Sequence, residues 1–151
     1  MKIAAVINRK GQHFETVREA VPLIEAVEIM HRLAIGSVGI TGNAPHEIIG
    51  IVSQAELMEA IATRGKHGLS LPVVIYARRN ILNCACEDEA ANVLQAMTRG
   101  RIRHAIVRRP AGDVAGLVSL GDLVAALLEE AQLEAGVLRD MARSHILAVS
   151  A

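Results

Sequence analysis

The chain has 151 residues, enough for one substantial core, and with one Phe, one Tyr and no Trp it must pack with aliphatic side chains. Its 16 basic and 16 acidic residues cancel, so it lacks the basic excess of a phosphate-backbone binder, and nucleic acid is not expected as a partner. The run Ile3 to Ile7 is too short for a signal-peptide core, and Val114 to Leu128 is interrupted by Asp122 and too short to span a bilayer. The expectation is a soluble, cytoplasmic protein without membrane contact.

Ile3, Val6 and Ile7 recur at helical spacing until Gly11, which predicts a short leading helix over 2–8. Thr16-Val17 reads as a brief strand, and Pro22 suits a first helical turn. Leu23, Ala26, Val27, Met30 and Leu33 then form a buried helical stripe. Gly36 to Ile40 is a short buried strand, 41–45 is turn chemistry, and Glu47 to Val52 returns as a second strand. Ser53 starts a helix that reaches Arg64, and Gly65-Lys66-His67-Gly68 breaks it. After a link through Leu71 to Val74 the same order recurs: strand Ile81 to Cys84, helix Asp88 to Thr98, strands His104 to Arg108 and Val114 to Val118. A longer last helix runs from Leu120 to near Arg143.

The recurrence is also a sequence repeat. Met30, Arg32, Ile35 and Ile40 fall on Met97, Arg99, Ile102 and Val107, each 67 positions later, and Gly50-Ile51-Val52-Ser53 falls on Gly116-Leu117-Val118-Ser119, 66 positions later. The fold class that follows is a layered α/β arrangement of two pseudo-symmetric units, each strand-helix-strand-strand-helix. Each unit alone is marginal in size, so the two are expected to share one core. The expected division is 1–64 for the first unit with its leading helix, 65–80 for a linker, 81–128 for the second unit and 129–151 for a helical tail.

Ser53-Gln54-Ala55-Glu56 and Ser119-Leu120-Gly121-Asp122 stand where a strand passes into a helix. A helix amino terminus presents unpaired N–H groups that suit a phosphate, and a carboxylate nearby can accept both hydroxyls of a ribose. Ser with an acid three residues on is equally a capping box, which favours Glu or Gln at that position. Capping therefore explains Glu56 better than Asp122, and the nucleotide reading gains at Asp122.

The glycine-hydrophobic-x-Ser-x-x-Asp ending, with Ile102-Arg103-His104 ahead of the middle strand, resembles the CBS domain, named for cystathionine β-synthase. The resemblance spans Gly11 to Leu128 and is closest to small stand-alone proteins made of one CBS pair. It implies two inter-repeat clefts for adenosine ligands such as AMP, ATP, NAD(H) or S-adenosylmethionine, and association into a homodimer. Carried over by position, it implies ribose binding by Asp122, with Ser119 near ribose or phosphate. Arg103, His104 and Ala105 would line that cleft, and Asn83, Cys84 and Ala85 would lie near the base. The matching positions in the first repeat are Thr16, Val17, Gly36, Ser37, Val38, Ser53 and Glu56. Here the chain departs from the family, which usually has Glu-Arg-Asp where this sequence has Gln54-Ala55-Glu56, so the Asp122 site is expected to be the stronger.

Arg99, Arg101, Arg103, His104, Arg108 and Arg109 make the second repeat locally basic, which suits a phosphate, although strand alternation turns about half of such a run outward. Cys84 and Cys86, roughly 6.6 Å apart on one strand face, have poor disulfide geometry and read as structural thiols. His13, His31, His46, His67 and His145 share no motif, and no metal is expected. No nucleophile–base arrangement, phosphate-loop lysine or helical His pair is present, so the chain does not read as an enzyme. Two functions remain: a regulatory module sensing an adenosine nucleotide, or a ligand-free platform for dimerisation or for an unidentified protein partner, using the apolar stripe of the tail helix.

Overall fold

The computed structural model describes residues 1–11, 14–44 and 46–149. His13 and Pro45 of the readings above lie outside the described residues. In chain order the elements are α1 (Ile3–Lys10), β1 (Thr16–Arg18), α2 (Leu23–Leu33), β2 (Ser37–Thr41), β3 (Ile48–Ser53) and α3 (Gln54–Arg64). Two 3₁₀ turns follow, Gly65–Ser70 and Val73–Tyr76, and then β4 (Leu82–Ala85), α4 (Ala90–Gly100), β5 (His104–Arg108), β6 (Val114–Ser119) and α5 (Leu120–Val149). Pro22 stands just outside α2 as its N-cap, with extended backbone.

Each unit holds a three-stranded sheet, β1-β2-β3 or β4-β5-β6, whose first pair is parallel across a helical crossover and whose second is antiparallel. Ser37 lies opposite Ser53 and His104 opposite Ser119, so the two registers correspond. The crossover helices also end alike: Ala34 and Arg101 both take the left-handed conformation at φ 52°. In each case a following amide closes the last turn, Ile35 N–H on the Met30 carbonyl at 3.0 Å and Ile102 N–H on the Met97 carbonyl at 2.9 Å.

Strand alternation decides the packing. Val38, Ile40 and Val52 face the helices of the first unit, while Ala105, Val107 and Val118 face those of the second. The opposite sheet faces present Ile51, Ile106 and Leu117, which meet with Phe14, Ile48, Ile81 and Val114 between the units. The shared core expected from the sequence is this smaller bridging cluster, flanked by a larger core within each unit. Leu33, placed by periodicity in the buried stripe, is 43% exposed. Ten residues at about 100° each set it roughly 80° around the helix from Leu23.

The leading helix packs across onto the other unit. Ile3, Val6 and Ile7 are buried in the core of the second unit with Ala90, Val93, Met97 and Leu123. The reason is steric. Gly116 leaves the face of β6 bare, and an added Cβ there would stand 2.8 Å from Ile7 Cδ1. At the corresponding Gly50 of β3 an added Cβ would meet the Ala77 Cβ at 2.7 Å. Residues 65–80 therefore pack along the first unit: Val73 is fully buried in its core, its N–H donates to the Val21 carbonyl at 2.8 Å, and Ile51 and Arg78 exchange backbone bonds of 3.0 and 2.9 Å. The segment leading into each unit thus crosses over the other one.

Among the described residues no helix is long and apolar enough to cross a membrane. Beyond its first turns α5 carries exposed Leu133, Val137, Leu138 and Met141.

Candidate functional site

A cleft of about 240 Å³ lies between the units. One wall is the β3–α3 junction with Ile51, Ser53, Ala55 and Glu56, and the other is Arg101, Ile102, Arg103 and His104 of the α4–β5 passage, with Arg78, Asn80 and Ile81 across the end. Left-handed Arg101 turns the chain out of α4, and the Arg103 carbonyl accepts from Leu120 N–H at 2.9 Å, which ties the passage to the start of α5. Gly36 does the same for α3 through Gln54 N–H, at 3.3 Å.

Ser53 caps α3. Glu56 Oε2 accepts from the Ser53 N–H at 2.9 Å and from its hydroxyl at 2.5 Å, and Ala55 N–H donates back to Ser53 Oγ at 3.3 Å. Arg78 Nε donates to Glu56 Oε1 at 2.7 Å. Glu56 is almost wholly buried, and burial pushes its carboxyl up. The bonds from Ser53 and Arg78 outweigh this and hold it below the ordinary carboxylate range.

Asp122 is built in parallel. Ser119 N–H donates to its Oδ2 at 2.7 Å, Asp122 N–H donates to Ser119 Oγ at 3.1 Å, and Lys10 Nζ donates to Oδ2 at 2.6 Å and to the Leu117 carbonyl at 3.2 Å. Burial raises this carboxyl while Lys10 and Ser119 lower it, with a net shift downward. Asp122 is therefore a cap as fully as Glu56, and the expectation that capping would separate the two acids is corrected: the backbone comes close enough for the shorter side chain to reach it.

Arg101, Arg103 and His104 line the same cleft as Glu56. The positions 67 earlier hold Ala34, Gly36 and Ser37, so the first unit carries no arginine at the corresponding places. His104 is pushed below its ordinary value, chiefly by burial and against the pull of Glu56, with Lys10 and Arg103 adding to the lowering and Asp122 opposing it. Burial favours its neutral form, so the fixed positive charge of this wall comes from the arginines. A carboxylate acceptor on one side and guanidinium donors on the other suit a ligand carrying both hydroxyls and phosphate.

The remaining sequence candidates separate. Val17, Val38, Cys84 and Ala105 turn into the unit cores, because alternation sends these positions toward the helices. Burial raises the Cys84 thiol to about 12. Asn83, Cys84 and Ala85 border a different depression with Arg108, Arg109 and Pro110, where Arg108 Nε donates to Asn83 Oδ1 at 2.9 Å. Gly36 lies in a groove between α2 and α3 with Met30 and Leu57. Thr16 is exposed on β1, and Ser37 is half-buried opposite Ser53. Among the described residues no three His, Cys, Asp or Glu side chains gather as a metal would need.

Sequence reasoning missed Lys10, Arg78, Asn80 and Ile81. A signal was available: a basic residue stands a few positions ahead of the first strand of each repeat.

The CBS domain family model matches residues 5–63 and again 74–129. A CBS-domain-containing protein from Agrobacterium tumefaciens is 31% identical, with a TM-score of 0.75 over 83% of this chain and 98% of its own. A CBS domain protein from Pyrobaculum aerophilum, solved complexed with AMP, shares the fold at 22% identity, with a TM-score of 0.73 over 87% of this chain and 99% of its own. So does the CBS domain pair of protein MJ0100, solved with 5′-methylthioadenosine and S-adenosyl-L-methionine, at 15% identity and a TM-score of 0.71 over 86% and 98%. With two matched copies, two like sheets and a cleft between them, this chain belongs to the CBS domain family and consists mainly of one tandem CBS pair.

Proposed function

We propose that this chain is a regulatory module that binds an adenosine nucleotide between its two units and passes the event on through their packing or that of two subunits. The observation that carries the reading is the cleft itself, with the carboxylate of Glu56 on one unit facing Arg101, Arg103 and His104 on the other. A ligand bridging those walls has differential affinity for two relative placements of the units, which is what a ligand needs to shift an equilibrium. Adenosine ligands in the Pyrobaculum and MJ0100 structures support the chemical class. The basic wall makes the Glu56 cleft the better candidate for a phosphorylated ligand, reversing the preference for Asp122 drawn from the sequence. The Pyrobaculum protein, solved complexed with AMP, makes AMP the first ligand to test.

The experiment is calorimetric titration of nucleotide-stripped protein with AMP, ATP, NAD, NADH and S-adenosylmethionine, repeated on Glu56→Gln, Arg103→Ala and Asp122→Ala. Glu56→Gln keeps a side chain that can cap α3 and loses the charge. AMP binding that falls about tenfold or more in Glu56→Gln and Arg103→Ala, and much less in Asp122→Ala, is the expected result. No binding by any ligand to folded protein refutes the sensor.

The second reading, a ligand-free platform, is favoured by a specific observation: both acids already hold internal cations. Homodimerisation belongs to either reading. Its support is the pair of exposed apolar side chains Met58 on α3 and Val124 on α5, at matching repeat positions, with Ile61 and Leu128 beside them.

A further inference from the structure

Arg78 lies ahead of the second unit in sequence and reaches Glu56 of the first, while Lys10 lies ahead of the first unit and reaches Asp122 of the second. Each also meets the matching residue of the strand before the acid: Arg78 through backbone bonds to Ile51, Lys10 through its Nζ to the Leu117 carbonyl. The parallel is close, but its effect on the carboxylates differs. At Asp122 both the Ser119 N–H and Lys10 fall on Oδ2. At Glu56 the Ser53 N–H and hydroxyl fill Oε2, and Arg78 takes one of the two acceptor positions of Oε1. A vicinal diol needs two acceptor positions, and Arg78 occupies one of those on Oε1.

We propose that Arg78 is a built-in competitor for the ligand: its guanidinium holds the Glu56 acceptor that a ribose diol requires, and binding proceeds by displacing it. The inference rests on the nucleotide reading above and adds a specificity-determining residue to it. Arg78 can leave at little structural cost, because its side chain is 67% exposed and its backbone pairing with Ile51 does not involve the guanidinium. Once released it can swing toward a phosphate in the same cleft, which favours nucleotides over bare nucleosides. The displaced residue is four positions ahead of β4, so the exchange acts on the segment joining the units.

The test uses adenosine, which carries the diol without a phosphate, and 2′,3′-dideoxyadenosine, which carries neither. Wild type, Arg78→Ala and Arg78→Lys are titrated with both and with AMP, after thermal melts establish that each variant is folded. Adenosine is expected to bind Arg78→Ala about fivefold more tightly than wild type, since the exposed guanidinium no longer competes for the Glu56 carboxylate. Arg78→Lys is expected to return toward wild type, and dideoxyadenosine is expected to show no such gain. Equal or weaker adenosine binding by Arg78→Ala, with AMP binding intact in wild type, overturns the competitor role and leaves the nucleotide reading standing. Binding of no nucleoside and no AMP by any of the three proteins refutes the nucleotide reading and the competitor with it.

Discussion

At Glu56 a nearly buried carboxylate carries three hydrogen-bond donations, and its ionisation is tied to folding. Its carboxyl is held below the ordinary 4.5, so the stability it contributes is fully present above that pH and is lost as pH falls through the folded value. Asp122, held below 3.8, acts in the same sense. Burial also holds His104 below its ordinary 6.5, so thermal midpoints are expected to start falling as pH drops below about 6.5 and to fall further below about 4, and Glu56→Gln should flatten part of that lower fall while costing about 1–3 kcal/mol at neutral pH. Melting curves across pH measure both. Ala34 offers a change of opposite sign. It pays for a left-handed backbone that glycine adopts freely, so Ala34→Gly is expected to gain about 0.5–1 kcal/mol in a urea unfolding series.

At the scale of elements, α1 covers a face that the second unit cannot cover alone. Ile7→Ala should cost about 2–4 kcal/mol, and hydrogen exchange should place the loss in β6, α4 and α5 rather than in β1–β3. The opposite localisation would return the helix to the first unit. Gly50 makes the matching statement for the other unit. A side chain there meets the Ala77 Cβ and crowds the Arg78 carbonyl, so Gly50→Val should loosen residues 77–80 and protect them less from exchange.

For the molecule as a whole, Ile51, Ile106 and Leu117 join two units that each keep their own core. On the proposed nucleotide reading, this small shared cluster is where a ligand in the cleft would act on the placement of the units. Subunit association is argued at the same scale. Met58→Glu together with Val124→Glu is expected to shift sedimentation from dimer to monomer at micromolar concentration, whereas deleting 132–151 is expected to leave the dimer. The reverse pattern would move the interface to the tail helix, whose exposed Leu133, Val137, Leu138 and Met141 are its candidate surface.

Periodicity and repetition made most of the fold legible. Apolar stripes at steps of three and four marked the helices, short apolar runs marked the strands, and the offsets of 67 and 66 residues paired the units. These features are local, or compare like with like along one chain, so sequence carries them directly. The Ser-x-x-acid junctions were visible for the same reason, as was the basic run from Arg99 to Arg109. Which acid faces those arginines was not visible, because it depends on how one sheet turns against the other, and the answer puts Glu56 rather than Asp122 opposite them. The allegiance of α1 was hidden too, since a helix adjacent in sequence to the first unit finds its uncovered apolar face on the second. Residue pattern alone carried two like units with acids at their helix starts. That each unit's leading segment crosses to its twin and brings Lys10 and Arg78 onto those acids came with the folded arrangement, because contacts over such separations follow from burying complementary faces rather than from any local pattern.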